Sequence, residues 1–199
     1  MDNFLDTCII IAKYDKKDKF HKNSKEFAEN NNNLIICVYQ EKKEIPFLFY
    51  RKEKILTESI KSSVMPNYMP DLKDLKIKDQ IILKKNINRL KLNDLSQQEL
   101  FVYKKDLILL KQEINYFIKN KISKRVIPLD KIDLLLVKNI FNEIKNEADS
   151  NIFCSAIQEH QENELKVITN DAKDCKNEVF VEAIKSTKYK EVPEIKYLF

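Results

Sequence analysis

The chain has 199 residues, 43% hydrophobic and 34% charged, which suits one globular domain carrying an insertion better than two full domains. It contains no glycine, which excludes a phosphate-binding P-loop, a G-x-G-x-x-G dinucleotide turn and a G-x-S-x-G nucleophile elbow, since each needs glycine where the backbone turns tightly or approaches a ligand. The formal charge of +5, carried mostly by lysine, is compatible with a polyanionic partner, and no stretch approaches the about 18–20 apolar residues of a membrane span.

In chain order, residues 3–5 read as a buried strand that runs into the apolar segment 8–12, expected to be helical. Residues 15–19 form a charged turn and 20–30 a short amphipathic helix, stopped by the tract Asn30 to Asn33. Two β-rich runs follow at 34–39 and 45–50, divided by 40–44. A helix is expected over 52–63, ending near Met65-Pro66, where proline forbids continuation. Residues 66–124 read as an inserted helical region. Within it, 71–92 is a Lys-rich helix. Ser96 and Glu99 form a capping box for the next helix. Leu100, Tyr103, Leu107, Leu110, Ile114 and Phe117 then recur at steps of three and four as a heptad seam. That seam either closes an antiparallel helical hairpin or covers the core of the domain. Beyond Arg125 the pattern alternates again: an extended piece at 126–129, a helix at 131–145 with Leu135, Ile140, Phe141 and Ile144 inward, a helix at 147–159, a strand at 165–169, a helix at 178–185 and an extended element at 191–198. Strands alternating with helices predict an α/β fold with a mostly parallel sheet covered on both faces.

The side-chain inventory narrows the chemistry. His21 and His160 are far apart, so a histidine-built zinc site is not expected. Cys8, Cys37, Cys154 and Cys175 include no C-x-x-C pair and read as reduced thiols of a cytoplasmic protein. With glycine absent, Asn and Asp are expected at positive φ. The first residues lack the basic region of a signal peptide.

Ligands of parallel α/β sheets bind at the carboxyl ends of strands, so acids just after apolar runs are the candidates. Asp6 follows Phe4-Leu5, and Asp171 follows Val167-Ile168-Thr169-Asn170. A strand-end Asp also serves as a helix cap or turn former. Asp149 heads the apolar stripe Ile152, Phe153, Ala156 and Ile157, which places it on the buried face or at the N-cap of that helix. Glu58 shares a helix face with Ile55. Carboxylates converging at one sheet edge repel each other unless a cation sits between them, and an oxygen-only donor set implies Mg²⁺ or Mn²⁺. Such an ion with a Lys-rich surface suggests phosphodiester hydrolysis.

At these residues the sequence resembles the PIN-domain family. Phe4-Leu5-Asp6-Thr7-Cys8-Ile9-Ile10 is similar to its opening F-[IL]-D-T-N-[VI]-[LI], with Cys8 where Asn is common. Leu56-Thr57-Glu58 resembles the second acidic motif, Ala148-Asp149-Ser150-Asn151-Ile152 the third, and Val167-Ile168-Thr169-Asn170-Asp171-Ala172-Lys173-Asp174 the closing segment. The resemblance covers 3–63 and 125–185, leaving the helical insertion 66–124 unaccounted for.

It implies a single PIN-like domain over 1–199, a three-layer α/β/α sandwich, and Mg²⁺- or Mn²⁺-dependent endoribonuclease activity. Asp6, Glu58, Asp149 and Asp171 would hold the metal and orient the attacking water, and Thr7 and Thr169 would support the carboxylates. Glu53 competes with Glu58, and Asp174 with Asp171, as the ligand. RNA is the implied substrate. A small antitoxin and a second copy are the implied protein partners, although the long insertion resembles larger stand-alone members more than compact toxins. Lys52, Lys54 and the 71–92 segment would attract the RNA backbone, and Tyr50, Tyr68 and Tyr103 are candidates for base stacking. The competing expectation is a non-catalytic scaffold acting through its helical insertion. A flap-type DNA nuclease ranks last, since its helix-hairpin-helix turn is hard to build without glycine.

Overall fold

A computed structural model describes residues 1–65 and 67–199. Pro66, at which the sequence ends one helix and opens the insertion, lies outside the described residues. The chain divides into two compact units, Met1–Ile45 with Ile114–Phe199, and Pro46–Glu113.

In the first unit, among the described residues, five parallel strands form one sheet: β1 (Asp2–Leu5), β2 (Leu34–Cys37), β3 (Lys124–Val126), β4 (Leu165–Thr169) and β5 (Glu194–Tyr197), in the order β3-β2-β1-β4-β5. All four residues of β2 are buried, the mark of a strand covered on both faces. Phe4, Ile35, Cys37, Val126 and Val167 enter the main core with Leu136, Ile140, Phe153, Ile157 and Phe180. Those partners come from α6 (Leu134–Ile144), α7 (Glu147–His160) and α8 (Asn177–Ile184). Leu5, Leu34, Ile36 and Ile168 alternate with the first set and are equally buried, so they face the other side, where α1 (Thr7–Tyr14) packs on α2 (His21–Asn30) and β4. The expected parallel α/β sheet is thus present.

The order of the strands decides where a ligand can sit. From β1 the chain moves outward to β2 and β3 on one side, and β4 and β5 build the other. The crevice at the carboxyl ends of β1 and β4 is the topological switch point, the binding position of open parallel sheets.

The run at 45–50 is helix, not strand. It opens α3 (Ile45–Val64), entered through a π-helical turn at Gln40–Glu44. Ile45 and Phe49 are buried four residues apart while Phe47 and Tyr50 are exposed, a helical rather than a strand alternation. Pro46, which has no N–H to donate, lies just after that π-helical turn, where the regular helical hydrogen-bond ladder is already interrupted. In α6 Ile140 is buried and Ile144 packs against the core as expected, but Leu136 is the other buried residue, while Leu135 and Phe141 are 52% and 40% exposed. Asp133 sets that phase by accepting the Leu135 and Leu136 N–H groups at 3.0 and 3.1 Å.

The second unit carries a small core of its own, Ile55, Leu75 and Leu83 with Ile87 against them. It comprises α3 from Pro46 on, α4 (Ile77–Lys91) and α5 (Gln97–Asn120) as far as Glu113. α4 starts later than the sequence reading at 71, because Asp74 takes a positive φ of 63° and Asp71 is tied to Lys54 at 2.7 Å. The Ser96–Glu99 box forms as expected, with Glu99 Oε2 accepting the Ser96 N–H at 2.7 Å and Ser96 Oγ accepting the Glu99 N–H at 3.1 Å. Asn67, Asp74 and Asn93 take positive φ, as a glycine-free chain requires. Ile127 and Lys145 do so as well, against expectation, with Lys145 closing α6 in the left-handed conformation. Among the described residues, no helix is long and apolar enough to cross a membrane.

Candidate functional site

Asp6 stands at the N-cap of α1, directly after β1, yet its side chain makes no cap bond. Instead Asp6 Oδ2 accepts the Thr169 hydroxyl at 2.6 Å and the Cys8 thiol at 3.1 Å. Thr169 ends β4, and its Oγ1 accepts the Asp171 N–H at 2.9 Å, so one hydroxyl ties the two strand ends together. Asp171 Oδ1 in turn accepts the N–H groups of Lys173 at 2.8 Å and Asp174 at 3.1 Å, a turn that brings Asp174 back toward Asp171. Cys8, where the resembled family favours Asn, accepts the Asn170 N–H at 3.2 Å and so joins the same frame.

Asp149 arrives from the opposite helical layer. It lies in the first turn of α7, and its Oδ2 accepts from Asn146 Nδ2. Carboxylate oxygens of Asp149, Asp171 and Asp174 lie within 4.8 Å of one another. The two alternatives at the closing motif are therefore both present at one place.

Glu44, which the strand-end pattern does not single out, stands near enough for its charge to raise Asp149. It ends the π-helical turn after β2, and its Oε2 accepts the Thr7 hydroxyl. The turn is anchored by the buried Gln40, whose Nε2 donates to the Leu5 carbonyl at 2.8 Å and to Thr7 Oγ1 at 3.1 Å, while its Oε1 accepts the Cys37 N–H at 2.9 Å. Gln40 thereby links the ends of β1 and β2 and fixes where Glu44 stands. Gln40→Ala strands several of these buried groups, at ~1–3 kcal/mol each. Urea unfolding is expected to show a loss of about 2–4 kcal/mol. A loss below ~0.5 kcal/mol would mean that the turn holds itself without Gln40.

The acids crowd one another electrostatically. Burial, followed by the charges of Asp6, Glu44, Asp171 and Asp174, pushes Asp149 up to about 8. Burial also raises Asp6, partly offset by the Thr169 and Cys8 hydrogen bonds and reinforced by Asp171. Lys173 approaches Asp174 at 3.9 Å but is 89% exposed, too well hydrated to neutralise it. An oxygen-only set of crowded carboxylates is the donor set of a hard divalent cation, so the residues fit Mg²⁺ or Mn²⁺.

Glu58 is differently engaged. It lies on α3 in the second unit, 3% exposed. Its carboxylate accepts from the Tyr68 hydroxyl at 2.6 Å, the Asp71 N–H at 2.8 Å and Lys61 Nζ at 3.0 Å, all within that unit. Burial opposes its ionisation, and those three bonds outweigh burial and hold it below the usual carboxylate range. Its carboxylate is thus already hydrogen-bonded on both oxygens within that unit. Glu53 lies on the same helix and in the same unit. Tyr50, Tyr68 and Tyr103 also belong to the second unit, with Tyr50 stacked on Phe47 and Tyr68 held by Glu58. All four cysteines are free, and Cys37, Cys154 and Cys175 are buried. Burial first, then the Asp6 charge, pushes the Cys8 thiol up, so it is no nucleophile at neutral pH.

No family model, no curated protein and no solved structure matches the chain.

Proposed function

We propose that this chain is a divalent-metal-dependent endoribonuclease of PIN-like α/β/α architecture, with Asp6, Glu44, Asp149, Asp171 and Asp174 around the ion. The supporting observation is the convergence of acids from four separate segments on the switch point of a parallel sheet. A divalent cation held there would supply a bound water of lowered pKa and stabilise charge on a phosphoryl oxygen.

The chain's own part is to hold the acids in place beforehand. Thr169 orients Asp6, Thr7 orients Glu44, Asn146 orients Asp149, and the Asp171 turn orients Asp174. Burial and the neighbouring acids favour the protonated form of Asp149, so binding of a cation there would be accompanied by proton release. The positive net charge favours a polyanionic substrate through a salt-sensitive, sequence-blind term.

The test is cleavage of a mixed RNA pool with Mg²⁺, Mn²⁺ or chelator. Wild type is expected to cleave only with metal, and Asp6→Asn and Asp171→Asn to lose at least ~100-fold, more than the ~10–100-fold typical of residues behind the ligands. Cleavage that persists in chelator would sink the proposal.

A second reading, a scaffold working through the helical unit, draws on exposed Ile77, Ile81, Phe101, Val102 and Leu109. Calorimetric Mn²⁺ titration separates the two, since a scaffold has no need of the ion. The antitoxin and homodimer partners implied by the resemblance form no part of this proposal.

A further inference from the structure

We infer that the groove between α2 and the residues following β5 is a base-stacking subsite for single-stranded RNA, placed beside the acidic cluster. The inference rests on the ribonuclease reading above and names how that site would hold its substrate. The groove measures about 340 Å³ and is lined by Asn23, Glu26, Phe27 and Asn30 of α2 and by Phe199. That volume is at the lower end of small-ligand sites, ~300–1,000 Å³.

Hydrogen bonds fix its position relative to the acids. Tyr197 pairs in register with Thr169, and the Leu198 N–H donates to the Thr169 carbonyl at 3.1 Å. Asn23 Nδ2 donates to the Leu198 carbonyl at 3.2 Å, and the next residue of α2, Ser24, accepts from Asn170 Nδ2 at 3.1 Å. Asn170 immediately precedes Asp171. One end of the groove, at Asn23 and Leu198, therefore lies by the end of β4 that carries Asp171, and the groove runs from there along α2 toward Asn30.

The chemistry of the groove suits a single strand. Unpaired bases need flat apolar faces, cations for the phosphates and polar groups for their edges. Phe199 is 67% exposed, and its ring leans on Tyr197 at 5.2 Å and Phe20 at 6.4 Å, so the exposed face is held by neighbours. Lys196 stands over the Phe27 ring of the groove at 5.2 Å, and Lys19 over the Phe20 ring that neighbours Phe199 at 4.4 Å, so a cation accompanies each aromatic pair. Asn23, Asn30 and Glu26 offer donors and acceptors to a base edge. An apolar protein partner would leave both lysines unused. A duplex keeps its bases stacked inside and has none to offer Phe199.

The experiment measures affinity for a short single-stranded oligoribonucleotide containing 2-aminopurine, in chelator and again in Ca²⁺, against duplex of the same sequence. Wild type is expected to prefer the single strand and to quench the 2-aminopurine. Phe199→Ala is expected to weaken binding roughly 5- to 100-fold. Phe199→Tyr, which keeps the ring, should retain affinity, and Phe199→Leu should lose the quenching even where it stays folded. Mn²⁺ binding by the acids should be unchanged in all three. Equal affinity of Phe199→Ala and wild type, or no preference for single strands, would overturn the subsite while leaving the nuclease reading intact. Absent Mn²⁺ binding with Phe199-dependent RNA binding would overturn the nuclease reading and leave the subsite.

Discussion

Asp149→Asn is expected to make the metal-free protein more stable at pH 8 while removing its response to Mn²⁺. The carboxyl is pushed up to about 8 from an ordinary 3.8, first by burial and then by Asp6, Glu44, Asp171 and Asp174. Between those values the native state holds a proton that the unfolded chain has released. Stability therefore falls as pH rises through that window and levels off above it. At about 1.4 kcal/mol per unit, the ceiling on this penalty is on the order of 5 kcal/mol. Water and side-chain relaxation at a partly exposed site reduce it, and a gain of about 2 kcal/mol at pH 8 corresponds to roughly 5 °C in Tm for a chain of this size.

Asparagine keeps an acceptor for Asn146 and removes the charge. The gap between variant and wild type should thus be small near pH 4 and widen toward pH 8. Mn²⁺ should raise the Tm of wild type, more at pH 8 than at pH 5 because protons compete for the carboxylates, and leave the variant nearly unmoved. Differential scanning fluorimetry across that pH range reads both effects. A variant less stable than wild type at pH 8 would show that Asp149 is a structural acid and not one held in reserve for a cation.

The residues that could be found from sequence are those whose position follows from a single strand boundary. Asp6 comes directly after the end of β1 and Asp171 two residues after the end of β4, each just past an apolar run. Asp149 was legible from helical spacing, since Ile152, Phe153, Ala156 and Ile157 are all buried on α7. Asp171 and Asp174 could not be separated from sequence because a turn, not a choice, relates them: one carboxylate oxygen accepts the other's N–H. The strand order itself was not legible, because pairing partners are set by long-range packing that no local pattern records.

Glu44 was missed for a traceable reason. The run at 45–50 has strand-like composition, so Glu44 appeared to precede a strand when in fact it follows β2 through five residues of π-helix. Even with the correct boundary the strand-end rule that found Asp6 would have met Glu41 first, since Glu44 is seven residues beyond the end of β2. A π-helical turn has no reliable sequence signature, and it often accompanies functional sites.

That correction carries the second large prediction. Glu44→Gln is expected to lower metal-dependent RNA cleavage by at least ~100-fold, as loss of a ligand should exceed loss of a group behind it. Its fold should persist, since Glu44 is only partly buried and glutamine still accepts from Thr7. Glu58→Gln should do the reverse. Its carboxylate is already committed to Tyr68, Asp71 and Lys61, so cleavage should stay within about threefold of wild type. Charged hydrogen bonds of this kind contribute ~1.5–3 kcal/mol, so weakening them should lower stability by about 1–2 kcal/mol. Urea unfolding and single-turnover cleavage on the two variants measure the pair. If Glu58→Gln abolishes cleavage and Glu44→Gln spares it, the second acid is the one that the motif Leu56-Thr57-Glu58 suggests. The hydroxyl of Thr7 would then position a carboxylate with no part in the chemistry.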